Sequence, residues 1–76
     1  MGRGDKMIPD TITGSRGTGP GPVTLLRDGN EVETQSAAPD YMFTVSEAGD
    51  YTLDGGGSVA GPISVQCTGA THQVNC

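Results

Sequence analysis

A chain of 76 residues with a formal net charge of −5 is large enough for one domain at most. Only 33% of its residues are hydrophobic, and its 13 glycines and five prolines disfavour helices and suit short strands joined by turns. The acidic balance argues against nucleic acid or an anionic membrane surface as a partner, because both would repel the chain. No segment approaches the roughly 20 consecutive apolar residues of a membrane span.

Residues 1–22 are predicted to form an extended arm. They contain six of the glycines and three of the prolines, which leave no room for a helix. They are also slightly basic, whereas the remainder of the chain is acidic. We expect the arm to lie along a neighbouring subunit. The candidate partner-contact residues are Arg3, Lys6, Met7, Ile8, Ile12, Arg16 and, from the body of the protein, Leu26.

Residues 23–34 are predicted to form a β-hairpin. Asp28-Gly29 favours a two-residue type I′ turn, since both central residues of that turn need positive φ. The resulting register places Leu25 opposite Val32 on the core face. Leu26 breaks the alternation of apolar and polar residues, so we expect it to face a second sheet or a partner.

Three further strands are predicted at residues 41–45, from residue 51 to 53, and at residues 63–67, where apolar and polar residues alternate. Gly55-Gly56-Gly57 is a predicted turn or bulge. The apolar residues at inward positions form a small core, and a chain this short usually needs a staple, a metal or a partner to be stable. The predicted core consists of Val23, Leu25, Val32, Tyr41, Phe43, Val45, Tyr51, Leu53, Val59, Ile63, Val65 and Val74.

The segment from Glu47 to Leu53 resembles the corner that leads into strand F of immunoglobulin-like β-sandwiches. That resemblance implies that Tyr51 buries its ring and that its hydroxyl bonds to the backbone upstream. Over residues 22–67, the segments at 23–26, 41–45, 51–53 and 63–65 resemble strands C, E, F and G. Leu53 stands where antibody domains carry a core cysteine, and no tryptophan marks strand C. The predicted fold is a small, reduced immunoglobulin-like β-sandwich over residues 23–76, with the arm over residues 1–22.

Cys67 and Cys76 are candidates for a disulfide bond. A hairpin over residues 63–76, centred between Thr71 and His72, would place the two cysteines opposite each other at a suitable distance. Two reduced thiols, or a bond between chains through Cys76, are the alternatives. No metal site is predicted, because the spacing of these cysteines and His72 matches no common zinc pattern.

Adhesion and catalysis are two classes of function that the sequence supports weakly or not at all. Arg3-Gly4-Asp5 resembles the integrin-recognition tripeptide of cell-adhesion proteins, which makes an extracellular adhesion or binding module the alternative hypothesis. Sugar binding is disfavoured because the few aromatic residues are expected to be internal. Catalysis finds no support: the chain lacks a nucleophile elbow and a phosphate-binding loop, and nothing near His72 in the sequence would orient it. No catalytic residue and no cofactor are therefore predicted.

In its size, acidity and glycine-rich β character, the chain resembles the decoration or cement proteins that bind phage capsid exteriors. This resemblance implies a non-enzymatic structural protein that binds and stabilises a larger protein assembly. The expected partners are a shell of major capsid protein, copies of the chain itself, or both. Neither nucleic acid nor a membrane is expected as a partner. No signal peptide is visible, so we expect synthesis in a host cytoplasm and a final place on the virion surface. The adhesion alternative implies an extracellular location.

Overall fold

A computed structural model of the chain describes residues 8–76, and these residues form an all-β protein with seven strands in two sheets. Turns that contain glycine or proline separate most of the strands, as the composition predicts. The strands are β1 (Asp10–Ser15), β2 (Gly21–Arg27), β3 (Asn30–Ala37), β4 (Asp40–Val45), β5 (Gly49–Asp54), β6 (Val59–Val65) and β7 (Thr71–Gln73).

The two sheets differ in size and in strand direction. One sheet has the order β4-β1-β7, with β1 antiparallel to β4 and parallel to β7. The other has the order β3-β2-β5-β6 and is antiparallel throughout. The first and last strands of the described chain are therefore neighbours in the smaller sheet.

The core contains inward side chains from both sheets and agrees in large part with the predicted one. Eight of the twelve predicted core residues are buried, and Ile63 and Val74 pack against them while partly buried. The prediction is wrong for Val32 and Val59, which are 54% and 68% exposed. The buried core consists of Ile12, Val23, Leu25, Ala37, Tyr41, Phe43, Val45, Tyr51, Leu53, Val65 and Cys67.

Residues 10–22 do not form the predicted arm. Residues 10–15 are β1, the central strand of the smaller sheet, and Ile12 on this strand is fully buried opposite Phe43. Residue 21 already begins β2, so a domain boundary at residue 22 would cut through the fold. Of the glycines in this region, Gly14 and Gly21 are strand residues, and Gly17 and Gly19 lie in the turn between β1 and β2. The remainder of the predicted arm, residues 1–7, lies outside the described residues.

The β2–β3 hairpin has the predicted turn but a different register. Asp28 and Gly29 have φ of 52° and 87°, as a type I′ turn requires. A bulge then shifts the pairing, so that Leu25 lies opposite Glu33 instead of Val32. Because a bulge inserts one unpaired residue into a strand, Val32 loses its place on the core face and becomes exposed.

The corner before β5 has the predicted hydrogen bond. Tyr51 is 2% exposed, and its hydroxyl donates to the backbone carbonyl of Glu47 at 2.7 Å. Burial raises the pKa of this hydroxyl, an effect that the positive charge of Arg27 opposes. The tyrosine therefore remains a donor at neutral pH and anchors the loop between β4 and β5.

The first prediction tests whether β1 belongs to the cooperative core. Ile12→Ala should lower the free energy of unfolding by about 2–5 kcal/mol, because it removes fully buried methylene groups and leaves a cavity. Ile8→Ala is the matched control: Ile8 is 55% exposed, so the same change should cost no more than about 0.5 kcal/mol. Urea denaturation measures both values, and equal losses in the two variants would contradict the placement of β1.

Candidate functional site

Asp10, at the start of β1, is the buried polar residue of the described core, with 1% exposure. Its Oδ1 accepts hydrogen bonds from the backbone N–H groups of Thr68, Gly69 and Ala70 at 2.9, 2.9 and 3.0 Å. Its Oδ2 lies 2.7 Å from Nε2 of His72 on β7. The hydrogen bond to His72 lowers the pKa of this carboxyl most; burial opposes that shift, and the three backbone bonds add to it.

The Asp10–His72 pair resembles the aspartate and histidine of a catalytic triad, but the described residues place no nucleophile beside it. An acid or base of this kind needs a nucleophile or a substrate cavity within hydrogen-bond reach. In residues 8–76, no hydroxyl or thiol is hydrogen-bonded to His72, and His72 does not line the surface cleft between β3 and β4 that is described below. The pair instead fastens the β6–β7 crossover to β1. Sequence analysis missed it because the partners are 62 residues apart.

Arg16, predicted to contact a partner, is instead used within the fold. Its Nε donates to the carbonyl of Gly55 at 2.9 Å, and its Nη1 donates to the carbonyls of Gly19 and Pro20, each at 3.1 Å. Gly21 sits directly against the guanidinium, where a Cβ atom would lie 2.6 Å from it. The Arg16 side chain therefore joins the β1–β2 loop to the β5–β6 loop, at the end of β1 opposite Asp10.

The other predicted contact residues have different outcomes. Ile8 is exposed, Leu26 is half-buried, and Ile12 is a core residue that no partner can reach. Arg3, Lys6 and Met7 lie outside the described residues, as does the Arg3-Gly4-Asp5 tripeptide. The contacts assigned to these three residues and the adhesion hypothesis both stay predictions.

The outer face of the smaller sheet is a surface that sequence analysis did not identify. Thr44, Thr11 and Thr71 lie side by side across the three strands, as do Met42, Thr13 and Gln73 in the next row. We call these six residues the threonine face. None is charged, although the chain has nine acidic residues, and Met42 is 62% exposed. Asp40 borders the face at one end, where the Ser15 hydroxyl donates to its carboxylate at 2.6 Å.

A second surface feature, the hairpin cleft, opens between β3 and β4. It has a volume of about 340 Å³ and lies between the β2–β3 hairpin and the loop after β4. Gln35, which does not line the cleft, links β3 to β4 by donating to the carbonyl of Met42 at 2.8 Å. Because the bulge in β3 turns Val32 outward, an apolar side chain is exposed in this cleft. Its lining residues are Arg27, Asn30, Glu31, Val32, Thr44, Val45, Ser46, Glu47 and Tyr51.

The predicted pairing of Cys67 with Cys76 is wrong. β6 pairs with β5, and the chain then crosses to the other sheet, so residues 63–76 do not form a hairpin. Cys67 is buried near the start of β1, with its Sγ 3.9 Å from the carbonyl of Val45. Cys76 is hydrogen-bonded through its N–H to Ser15 at the other end of β1, and both thiols are free.

Comparisons with known proteins identify no relative. The chain matches no protein-family model, no curated protein and no solved structure. Over the part of the chain that the structure describes, no three metal-ligating side chains cluster together, and no helix could cross a membrane. The contacts and surfaces described above therefore carry the functional argument.

The second prediction concerns the carboxylate of Asp10. Its folded-state pKa lies below the ordinary value of 3.8, so its contribution to stability is complete above about pH 4 and is lost as the pH falls through the folded pKa. Asp10→Asn should therefore destabilise the protein at neutral pH, with a difference from the natural chain that narrows in acid. Urea midpoints between neutral pH and about pH 2 measure this difference. Asp54→Asn, which changes an exposed carboxylate, is the control, and a difference independent of pH would contradict the prediction.

The third prediction concerns the thiols. In the native protein a thiol reagent should modify the half-buried Cys76 well before the buried Cys67, and denaturation without reductant should make both reactive. Mass spectrometry counts the modified thiols, and the single variants Cys67→Ser and Cys76→Ser assign them. A chain that resists modification until a reductant is added would contradict the separation of the two cysteines.

Proposed function

We propose that this chain is a non-enzymatic structural protein that binds and stabilises a larger protein assembly, as phage capsid decoration proteins do. The observation that carries the proposal is the threonine face. It is an exposed, uncharged surface of neighbouring strands on an otherwise acidic protein. The centres of protein interfaces are depleted of charged residues and enriched in methionine, because charged groups are costly to remove from water.

The rigidity of this surface adds support. β1 is hydrogen-bonded to a strand on each side, and inward residues of β1 and β4 fill the core beneath the face. The hydroxyl of Thr13 donates to the carbonyl of Tyr41 at 3.0 Å, which restricts that side chain. A surface that is ordered before binding loses little conformational entropy on association. Copies of this chain or a shell protein are the partners that we propose for it.

We further propose that the sandwich is a reduced immunoglobulin-like fold. The order β3-β2-β5-β6 supports this assignment, because it corresponds to strands C′, C, F and G of variable-type domains. β1 and β4 then correspond to strands B and E, and the Tyr51 hydroxyl contact corresponds to the tyrosine corner. β7 takes the place beside β1 that strand A would occupy, although it comes last in the chain and runs parallel to β1.

The fourth prediction tests the assembly function with particles from the native source. The chain should co-purify with a large particle at a fixed stoichiometry, and the purified chain should rebind saturably to particles from which it has been removed. Thr71→Lys should weaken rebinding by about tenfold or more, because an unpaired charge in an interface costs at least about 1.4 kcal/mol. Thr34→Lys is the matched control, since Thr34 is exposed on the larger sheet, away from the threonine face.

Two results would contradict the proposal. One is a chain that occurs alone in native extracts and binds no particle; the other is an equal loss of rebinding in both lysine variants. Deletion of residues 1–7 in the same assay tests the predicted contacts of Arg3, Lys6 and Met7. Deletion of residues 1–20 would not be a clean test, because it also removes β1 from the core.

A further inference from the structure

We propose that the hairpin cleft binds an extended, arginine- or lysine-bearing segment of a protein partner, which pairs with β4 as an added strand. This inference goes beyond the proposed function, which rests on the threonine face. It commits to a second surface and to the chemistry of its partner. Three observations carry it: the direction of the backbone groups of Thr44, the state of the other sheet edges, and the charge around the cleft.

The backbone of β4 offers hydrogen-bonding groups to the cleft. The carbonyl of Met42 points away from β1, since it accepts from Gln35 on β3. Residues two apart in a strand direct their backbone groups to the same side, so the N–H and C=O of Thr44 also point away from β1. Thr44 lines the cleft, and none of residues 8–76 forms a strand on that side of it. A peptide laid in the cleft can therefore form ladder hydrogen bonds with Thr44.

The other edges of the described sheets are less suited to strand addition. β3 carries Glu31, Glu33 and a bulge, and β6 contains Pro62, which has no N–H to donate. β7 is only three residues long. Charges, bulges, prolines and short length are the devices by which proteins block edge pairing. β4 is six residues long, has no bulge and no proline, and its one charged residue, Asp40, stands at the end away from Thr44.

The charge of the cleft selects a cation. Glu31 and Glu47 are among the lining residues, and the side chain of Glu47 is 73% exposed. Asp28 and Asp50 adjoin them at the same end of the protein. Arg27 is the cation of the cleft, but its Nε and Nη2 donate to the carbonyl of Ala48 at 3.0 and 2.8 Å, and its Nη1 lies 3.5 Å from a carboxylate oxygen of Glu47. A lysine or arginine of a bound partner would thus find hydrogen-bond acceptors in the cleft, whereas an acidic side chain would be repelled by its carboxylates.

The exposed side chain of Val32 completes the fit. Lysine and arginine carry long apolar stems that pack on apolar surface while the charged end stays among polar groups. Val32, turned outward by the bulge, offers such a surface beside the carboxylate of Glu31. The bulge that removed Val32 from the core thus contributes apolar contact to the proposed binding site.

The fifth prediction uses two short capped peptides as probes, one alternating valine with arginine and the other alternating valine with glutamate. In NMR titrations the arginine peptide should shift the amide resonances of residues that line the hairpin cleft. It should also slow hydrogen exchange of the Thr44 amide, which becomes part of a ladder. The glutamate peptide should do neither. Equal binding of both peptides, or shifts confined to another sheet edge, would overturn the proposal.

Charge variants provide an independent test. Glu31→Gln and Glu47→Gln should each weaken binding of the arginine peptide by about two- to fivefold, as expected for an exposed ion pair, and added salt should weaken it further. Asp54→Asn is the matched control. It removes the same charge at the opposite end of the protein and keeps an acceptor for the N–H of Gly56. An equal loss in the control would overturn the proposal, because it would show a general effect of net charge.

These results are separable from those of the assembly experiment. Thr71→Lys, which tests the threonine face, lies on the far edge of the smaller sheet and should leave peptide binding unchanged. Glu47→Gln likewise leaves the threonine face intact. Failure of peptide binding therefore overturns the cleft proposal and leaves the function proposed for the threonine face standing.

Discussion

Closure of this fold depends on the buried carboxylate of Asp10. It satisfies three consecutive backbone N–H groups of the crossover that carries the chain from one sheet to the other. Hydrogen bonds to a charged acceptor are stronger than bonds between neutral groups, so this carboxylate stabilises the backbone of the crossover. With the crossover held and His72 bound to the other carboxylate oxygen, β7 lies parallel to β1 and the smaller sheet is complete.

Both proposed binding surfaces depend on that closure. The threonine face is formed by one strand near the start of the described chain, one from its middle and one near its end, so it exists only once all three are paired. The hairpin cleft arises because β3 and β4 belong to different sheets and separate toward the hairpin turn. Arg16 secures the opposite end by joining the β1–β2 and β5–β6 loops through its guanidinium group. Asp10 and Arg16 thus make contacts within the fold at the two ends of β1. The uncharged threonine face between them stays free to bind the proposed partner.

Sequence patterns were informative where a structure is determined by neighbouring residues. Asp28-Gly29 adopts the predicted turn because its positive φ values are a local preference, and the alternation of Tyr41, Phe43 and Val45 matches the burial of one strand face. Tyr51 and Glu47 are four residues apart, so their contact is also local. The predicted arm is wrong for residues 10–22. The many glycines and prolines there indicate a segment without regular structure, and this signal is stronger in the sequence than the short alternation of apolar and polar residues around Ile12. Strand pairing on both sides of that segment overrides its weak local preference.

The amino-acid sequence by itself determined the all-β class, the two-residue turn at Asp28-Gly29, most of the core and the contact of the Tyr51 hydroxyl with Glu47, because short-range preferences and alternation decide these features. Only the tertiary structure decided that residues 10–15 are a central strand, that Cys67 and Cys76 lie apart, and that the Arg16 side chain bonds to loops of its own chain. It alone assembled the Asp10–His72 contact, the threonine face and the hairpin cleft. Each of these joins residues far apart in the chain, and their proximity depends on sheet order, a crossover and one bulge that no local pattern encodes.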